Sequence, residues 1–335
     1  MASGVEVLTR SEASLDASVL ALDCDREVRR IGLCLKRELV RFRRRGVVLG
    51  LSGGVDSSVC AALAARVLGG HRVLGLVMPE RESSPESERR AREVAAQNGI
   101  QVVREDITGA LDVLGAYRIR DSAIARLVPG FGPGWKSSIG ITGGMDGAFN
   151  RFELIVKSPE GRVQAIRLPY QEYLAIVAAT NYKQRLRKSI EYFHADRMNY
   201  AVLGTPNLAE YDQGFFVKNG DGAADLKPIA HLYKTQVYQL AQYLGVPEEV
   251  RLATPTTDTY SLALGQEEFY FALPYAKLDL SLFAMDHGMS PELLAAAIGV
   301  SIAQAGWIYK DIAAKRRHAE YLHASPTIFN DGTET

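Results

Sequence analysis

A glycine-rich segment around residue 53 combines residue types that can bind a phosphate chain. It reads Leu51-Ser52-Gly53-Gly54-Val55-Asp56-Ser57-Ser58. A short apolar run at 47–51 precedes it and an alanine-rich stretch up to residue 68 follows, an order that predicts a strand, a loop and a helix. Backbone N–H groups at a helix N-terminus, unobstructed at two glycines, form an anion site to which serine hydroxyl groups can add donors.

Asp56 indicates more closely which phosphate chemistry the loop could support. No lysine follows the second glycine, so the loop is not a Walker A sequence. Asp56 instead places a carboxylate where Mg²⁺ could bridge phosphate oxygens. The alternative is a glycine-rich turn that Ser and Asp only cap.

Alternating strands and helices must position this loop. Further strands are predicted over 73–78, 101–104 and 201–204, and helices over 23–44, 86–98, 170–197 and 233–244. This alternation predicts an α/β fold with a doubly wound parallel sheet. Ligands of such sheets bind beyond the carboxyl ends of the strands, so we expect Ser52, Met78 and Thr205 to line one crevice.

The alternation is interrupted between residues 118 and 169. A loop rich in proline and glycine, 129–134, precedes two runs, 152–156 and 163–167, that predict a β-hairpin. We therefore expect four regions. They are a loose N-terminus at 1–20, a nucleotide-binding domain formed by 21–117 and 170–280, an insertion at 118–169, and a helical C-terminal tail at 281–335.

Composition excludes several classes of protein. Lys plus Arg and Asp plus Glu both total 39 of 335 residues, so no net charge would attract a nucleic-acid backbone. The three cysteines form no CxxC pair, which fits neither a zinc site nor a disulfide framework. No signal-peptide or membrane-spanning run is evident. These features predict a cytoplasmic protein that binds neither nucleic acid nor membrane.

The loop sequence resembles that of the PP-loop ATP pyrophosphatases, which cleave ATP between its α and β phosphates. Within this group the second half of the chain is similar to NAD synthetases. The similar segments are Leu203-Gly204-Thr205 through Glu210, Gly214-Phe215-Phe216-Val217-Lys218, Gly220-Asp221-Gly222, Asp225, Pro228 and Leu232-Tyr233-Lys234-Thr235. The resemblance covers about 23–106 and 170–279. It implies a Rossmann-like fold of the adenine nucleotide alpha hydrolase type.

The resemblance also implies roles for individual residues. Asp56 and Glu210 would bind Mg²⁺. The residues implied in ATP binding are Ser52, Gly53, Gly54, Asp56, Ser57, Ser58, Met78, Thr205, Lys234 and Thr256, of which Asp56, Lys234 and Thr256 would be catalytic. Those implied in binding deamido-NAD are Asn181, Arg185, Lys218 and Asp225. Without the resemblance, Glu210 could be a surface acid, Lys234 a solvated lysine, Met78 a core side chain, and the Asn181/Arg185 pair exposed polar residues.

ATP and Mg²⁺ are the implied cofactors of a two-step reaction. An acceptor carboxylate attacks the α-phosphate to give an acyl-adenylate and pyrophosphate, and ammonia then displaces AMP to form an amide. Only about forty residues precede the first strand, too few for a glutaminase domain, so the ammonia would be free or come from a separate glutaminase. The resemblance implies a homodimer, with helix 170–197 as the expected contact.

Two departures from the family pattern, together with the insertion, leave the acceptor open. Where NAD synthetases carry a His-Lys pair before a proline, this chain has Tyr321-Leu322-His323 ahead of Pro326. The family's acidic run before its Gly-Ile-Ser-Tyr stretch is also altered, and reads Gln266-Glu267-Glu268-Phe269-Tyr270-Phe271-Ala272-Leu273-Pro274-Tyr275 here. An ammonia-dependent NAD synthetase is the first hypothesis, and a related ligase that amidates another carboxylic acid is the second. A nucleotide-binding subunit without turnover and a tRNA-modifying PP-loop enzyme are further alternatives, the last disfavoured by neutral charge and the absence of CxxC.

Overall fold

The computed structural model describes residues 15–142, 151–254, 260–262, 270–271 and 273–329. A parallel sheet of four strands lies at the centre of these residues. The strands are β1 (Val47–Gly50), β2 (Val73–Val77), β3 (Gln101–Arg104) and β7 (Ala201–Val202), in the order β3-β2-β1-β7. In register, Val47 pairs with Val73 on one side and with Ala201 on the other. The predicted strands are thus confirmed, with β7 two residues shorter.

Helices cover both faces of this sheet, as the alternation predicted. On one face lie α1 (Cys24–Arg41), α2 (Val55–Leu68), α3 (Pro85–Gln97) and α8 (Lys234–Tyr243), packed against Val47, Leu49 and Val73. On the other lie α4 (Thr108–Val113), α5 (Ala116–Ala125) and α6 (Tyr170–Met198), packed against Val48, Leu74 and Leu76. Strand β1 is apolar on both faces because both are covered.

An antiparallel sheet lies beside α5 and the first half of α6. It consists of β4 (Lys136–Thr142), β5 (Arg151–Lys157) and β6 (Val163–Arg167), in that order. The hairpin predicted from 152–156 and 163–167 corresponds to β5 and β6. Strand β4 was not predicted, nor was the helix α5 that runs into the interrupted region. Ile139, Leu154 and Val156 pack against Ile124 and Ile176. We call β4–β6 the added sheet.

The C-terminal region is helical, as predicted. It contains α10 (Tyr275–Asp286), α11 (Pro291–Ile298) and α12 (Ile302–His323), preceded by the short helices α7 (Leu208–Gln213) and α9 (Glu248–Leu252). Its core includes Leu278, Leu282, Leu294, Ile308 and Ile312. Ser290 caps α11 through its hydroxyl group, in agreement with the predicted helix start.

The predicted loose N-terminus is described only from residue 15 onward. Residues Ala17–Leu20 form a short 3₁₀ turn, Leu20 is buried, and Gln239 Nε2 donates to its carbonyl oxygen at 3.0 Å. Within the described ranges no single helix has the length and apolar character needed to cross a membrane. The pair α11 and α12, bent by 107°, meets that test only when taken together.

Candidate active site

The loop between β1 and α2 has a backbone that only glycine allows at its centre. Gly53 has φ +77°, and a Cβ there would lie 2.2 Å from the carbonyl oxygen of Ser87 at the start of α3. Gly54 caps α2 without a side-chain hydrogen bond, so no side chain occupies the first amides of the helix. These amides point beyond the end of β1, where the partial positive charge of the helix N-terminus attracts an anion.

The loop's serines mainly bind the loop itself. Ser52 Oγ accepts the Gly54 N–H at 3.2 Å and lies 3.1 Å from Ser57 Oγ. Ser57 and Ser58 both donate to the Gly54 carbonyl oxygen, at 3.1 and 2.8 Å. Ser58 is buried. Its hydroxyl group therefore fixes the loop in this structure instead of facing the cavity.

Asp56 connects the loop to two other elements. Lys234, the first residue of α8, is fully buried, and its Nζ donates to Asp56 Oδ2. Asn207 Nδ2 donates to Asp56 Oδ1 at 3.1 Å. The start of α8 is held in turn by the Asp279 carboxylate of α10, which accepts the Thr235 N–H at 2.7 Å. The C-terminal helices thus help to place Lys234.

Glu210 is brought beside Asp56 by the cap of α7. Asn207 Oδ1 accepts the Glu210 N–H at 3.2 Å, and Glu210 Oε2 accepts the Asn207 N–H at 3.1 Å. Burial, followed by the nearby Asp56 carboxylate, raises the pKa of Glu210 to about 8. Burial alone would lower the pKa of Lys234, but the Asp56 and Glu210 carboxylates outweigh it and raise that pKa.

Asp56 and Glu210 form a pair of neighbouring carboxyl groups that can supply oxygen ligands, with Lys234 as the adjacent cation. In the described part of the chain, no group of three or more His, Cys, Asp or Glu side chains could hold a metal ion. Mg²⁺ often takes only one or two protein carboxylates and completes its shell with substrate phosphates and water. Asp56 and Glu210 therefore fit a cation that is shared with bound phosphate.

A cavity of about 440 Å³ opens over this loop. It brings together most of the residues predicted from the sequence. Those that line it are Ser52, Gly53, Gly54, Asp56, Ser57, Met78, Asn181, Thr205 and Glu210. Ser58, Arg185, Lys218, Asp225 and Lys234 are not part of its wall, and Thr256 lies outside the described residues. The expectation that Ser52, Met78 and Thr205 share one crevice is confirmed.

The other residues predicted to face the acceptor hold elements together in this structure. Lys218 Nζ donates to the carbonyl oxygens of Tyr321 and Ala324, at 2.6 and 3.2 Å, at the end of α12. Arg185 Nε donates to the Lys218 carbonyl oxygen at 3.3 Å. Asp225 Oδ2 accepts the Val202 N–H of β7 at 2.7 Å.

The altered C-terminal segment returns to the same region. His323 packs edge-on against Tyr211, with ring centroids 4.4 Å apart, and its Nε2 lies 2.9 Å from the Tyr211 carbonyl oxygen. It also contacts the ring of Phe216, which lines the cavity. The end of α12 thus packs against the loop at 214–217.

Several cavity residues were missed from the sequence. Lys188 and Glu191 form a buried ion pair of 2.6 Å on α6, and Arg187 Nε donates to the Met78 carbonyl oxygen at 3.2 Å. Ile139 and Phe152 reach the cavity from the added sheet. The sequence of α6 contained a signal for its own cavity residues, because Asn181, Gln184, Lys188 and Glu191 follow one another at steps of three and four residues.

Comparison with known proteins places this geometry in a family. The NAD synthase family model matches residues 27–127 and 160–320. The chain belongs to the NAD synthase family. The match begins four residues later than the predicted resemblance of 23–106 and 170–279, but it extends further at the other limits, to residue 127, back to residue 160 and on to residue 320 in α12. The segment 128–159, which contains β4 and β5, is left unmatched.

Individual relatives agree with this assignment. The chain is 54% identical over 313 residues to the NH(3)-dependent NAD(+) synthetase of Rhizobium meliloti, covering 93% of this chain and 94% of that protein. It is 56% identical over 312 residues to that of Mesorhizobium japonicum, covering 92% and 98%. The structure of NMN synthetase from Francisella tularensis shares the fold, with a TM-score of 0.64, 21% identity, and coverage of 93% and 100%.

Proposed function

We propose that this member of the NAD synthase family is an ammonia-dependent NAD synthetase. It converts deamido-NAD, ATP and ammonia into NAD, AMP and pyrophosphate. The observation that carries the proposal is the glycine loop with Asp56, Glu210 and Lys234 assembled at one end of the cavity, in a chain 54% identical to a relative of that name.

In the first step the acceptor carboxylate attacks the α-phosphate of ATP. The N–H groups at the start of α2 bind the phosphates and stabilise the charge that accumulates on the departing pyrophosphate. Lys234 orients Asp56 and adds positive charge behind the loop. Asp56 and Glu210 would hold Mg²⁺, which when bound neutralises phosphate oxygens. Met78 and Thr205 line the cavity where the rest of ATP would lie, and Thr256 is proposed to join them.

In the second step ammonia attacks the acyl-adenylate and AMP leaves. The chain's contribution is to keep the adenylate in place and away from water. Asn181 lies on the cavity wall and is proposed to contact deamido-NAD there. Arg185, Lys218 and Asp225 are proposed to contact a part of the acceptor that extends beyond this cavity. We further propose free ammonia or a separate glutaminase as the nitrogen source, a homodimer as the active form and the cytoplasm as its location.

The test is pyrophosphate release from the purified chain with ATP, Mg²⁺ and ammonium, with and without deamido-NAD, and with the product identified by mass. Release that requires deamido-NAD, together with NAD formation, is the expected result. Omitting Mg²⁺ is the control for the cation. ATP binding without turnover of deamido-NAD would overturn the proposal and favour a ligase for another carboxylic acid, to be sought among mononucleotides and other acids.

A further inference from the structure

Three cationic side chains line the cavity among the residues that the structure describes, and they are Arg90, Arg187 and Lys188. Lys188 is held by Glu191 in a buried ion pair of 2.6 Å, and Arg187 Nε donates to the Met78 carbonyl oxygen at 3.2 Å. Arg90 differs from both. Its Nε is buried without a hydrogen-bond partner, and its guanidinium group forms no ion pair within the described ranges. Its charge is therefore available to an anion that enters the cavity.

The other arginines of α3 are paired. Arg89 forms an ion pair with Glu249 of α9, and Arg92 Nη2 lies 2.7 Å from Glu88 Oε1. Acidic partners are thus present around this helix, but Arg90 uses none of them because it lies on the side that faces the cavity. A buried donor without an acceptor costs folding free energy. The stability of α3 consequently gives no reason for the position of Arg90, whereas a bound anion would.

Arg90 lies close to the phosphate loop. The carbonyl oxygen of Ser87 would be 2.2 Å from a Cβ on Gly53, so α3 and the loop are in direct contact at this point. Arg90 follows Ser87 by three residues, and side chains at that spacing are neighbours, with Cβ atoms about 5–6 Å apart. Both residues line the cavity, together with Thr254. Arg90 therefore lies beside the N–H groups that are placed to bind phosphate.

The position of α3 relative to α6 indicates which phosphates Arg90 would meet. The two helices cover opposite faces of the parallel sheet. The acceptor is proposed to lie against Asn181 of α6, and in a displacement at phosphorus the attacking and leaving oxygens are roughly in line. An acceptor that approaches the α-phosphate from the side of α6 therefore expels pyrophosphate towards α2 and α3. Arg90 lies on that side.

We propose that Arg90 binds the β and γ phosphates of ATP and stabilises pyrophosphate as it leaves. In that step an acceptor carboxylate oxygen bonds to the α-phosphorus. The bond from this phosphorus to the bridging oxygen breaks, and its electron pair stays on pyrophosphate. A guanidinium group can donate two parallel hydrogen bonds to phosphate oxygens and carries a permanent positive charge. The direction of attack rests on the proposed function, but the binding of the terminal phosphates can be measured without any acceptor.

The experiment titrates ATP, AMP and inorganic pyrophosphate, each with Mg²⁺, into the wild type, Arg90→Gln and Arg90→Lys by calorimetry. Arg90→Gln is expected to raise the Kd of ATP and of pyrophosphate at least about tenfold, since it removes charge-assisted hydrogen bonds. The Kd of AMP should stay within about twofold, because AMP lacks the terminal phosphates. Arg90→Lys keeps the charge without the planar fork, so it should recover part of the loss.

Turnover gives a second measurement. Arg90→Gln should lower kcat/KM for ATP at least about tenfold, because the interaction with the departing pyrophosphate is lost. KM for deamido-NAD should stay within about twofold of the wild-type value. A rise in KM for deamido-NAD without a change in ATP binding would place Arg90 against the acceptor and overturn the inference.

Arg92→Gln is the matched control. Arg92 is on the same helix but does not line the cavity, and its partner Glu88 keeps Arg104 at 3.2 Å. This variant should bind all three ligands as the wild type does. Because Arg90 has no partner within the described residues, Arg90→Gln should leave the melting temperature of the ligand-free chain unchanged or raise it.

Two further results would overturn the inference. One is pyrophosphate binding that is unchanged in Arg90→Gln. The other is a lowered melting temperature with equal weakening of AMP and ATP, which would show that Arg90 acts through the fold. A wild type that binds ATP and pyrophosphate but forms no NAD overturns the proposed function instead.

Discussion

Asp56 is the residue on which the chemistry depends most, because it lies in the first turn after the phosphate loop and contacts both Lys234 and Asn207. Asp56→Asn keeps the shape of the side chain but removes its charge. Pyrophosphate release is expected to fall by at least about 100-fold, as for the loss of one strong electrostatic contact to a transition state. The matched control is Asp112→Asn on the exposed side of α4, which should retain full activity. Normal turnover by Asp56→Asn, with unchanged circular dichroism, would contradict the assignment of Asp56 to the site.

Asn181 and Arg185 are one helical turn apart, but the structure separates their roles. Asn181 lines the cavity, whereas Arg185 is exposed and hydrogen-bonded to the Lys218 carbonyl oxygen. Asn181→Ala is expected to raise KM for deamido-NAD about fivefold, the equivalent of one hydrogen bond of about 1 kcal/mol. Arg185→Ala should raise it less in assays at the same ATP concentration. A larger effect for Arg185→Ala than for Asn181→Ala would show that acceptor binding depends more on contacts outside this cavity than on those at its wall.

At the scale of elements, a cluster of buried charges fixes α6 against the loop that follows β2. Lys183 Nζ donates to Glu80 and Glu82, both at 2.9 Å, and Arg120 of α5 donates twice to Glu82 at 2.7 Å. Burial would raise the pKa of Glu82, but the hydrogen bonds and charges of Arg120 and Lys183 lower it to about 2. The cluster therefore joins the cavity wall on α6 to the loop that carries Met78.

Glu82→Gln tests this cluster through the pH dependence of stability. Removing one partner of a buried ion pair costs about 3–5 kcal/mol of unfolding free energy at neutral pH. Because the pKa of folded Glu82 is depressed, its contribution is complete above about pH 4.5 and is lost as pH falls towards 2. Urea denaturation should thus show wild type and variant converging below pH 4.5. Glu93→Gln, in a surface ion pair, is the control and should change stability by less than about 1 kcal/mol. A difference that stays constant from pH 7 to 3 would contradict the role of the ionised carboxyl.

The elements that were predicted at nearly the observed bounds are those in which the order of apolar and polar residues along the sequence agrees with which side chains are buried. Strand β3 was predicted at its observed bounds, and α6 within one residue. Strand β4 was missed because Lys136–Thr142 mixes serine and glycine with isoleucine, and its identity as a strand depends on pairing with β5 across the intervening segment. The loop at 52–54 was recognised because its conformation is determined by residues that are adjacent in the sequence. Asn207 and Phe152 were not, since only tertiary packing brings Asn207 to Asp56 and Phe152 to the cavity.

At the scale of the whole molecule, α6 separates the cavity from a second apolar face. Two exposed aromatic side chains, Tyr182 and Phe193, lie nearly half a turn around the helix from the cavity-lining residues of α6. The exposed Leu174 lies about a quarter of a turn from them. In a homodimer that buried this face, the partner would pack against the outer side of α6. The parallel sheet and the added sheet pack against its inner side. Association would then stabilise the wall on which the acceptor is proposed to lie.

The double substitution of Tyr182→Glu and Phe193→Glu is expected to dissociate that dimer. Burying an unpaired carboxylate costs several kcal/mol, so the dissociation constant should rise at least about 100-fold. Sedimentation equilibrium should give twice the mass of one chain for the wild type and the mass of one chain for the variant. Val113→Glu, at an exposed position of α4, is the control and should remain dimeric. Because the monomer keeps its phosphate loop but loses support for α6, KM for deamido-NAD should rise more than KM for ATP. A variant that stays dimeric would place the interface on another surface, and a monomer with unchanged kinetics would show that α6 needs no partner.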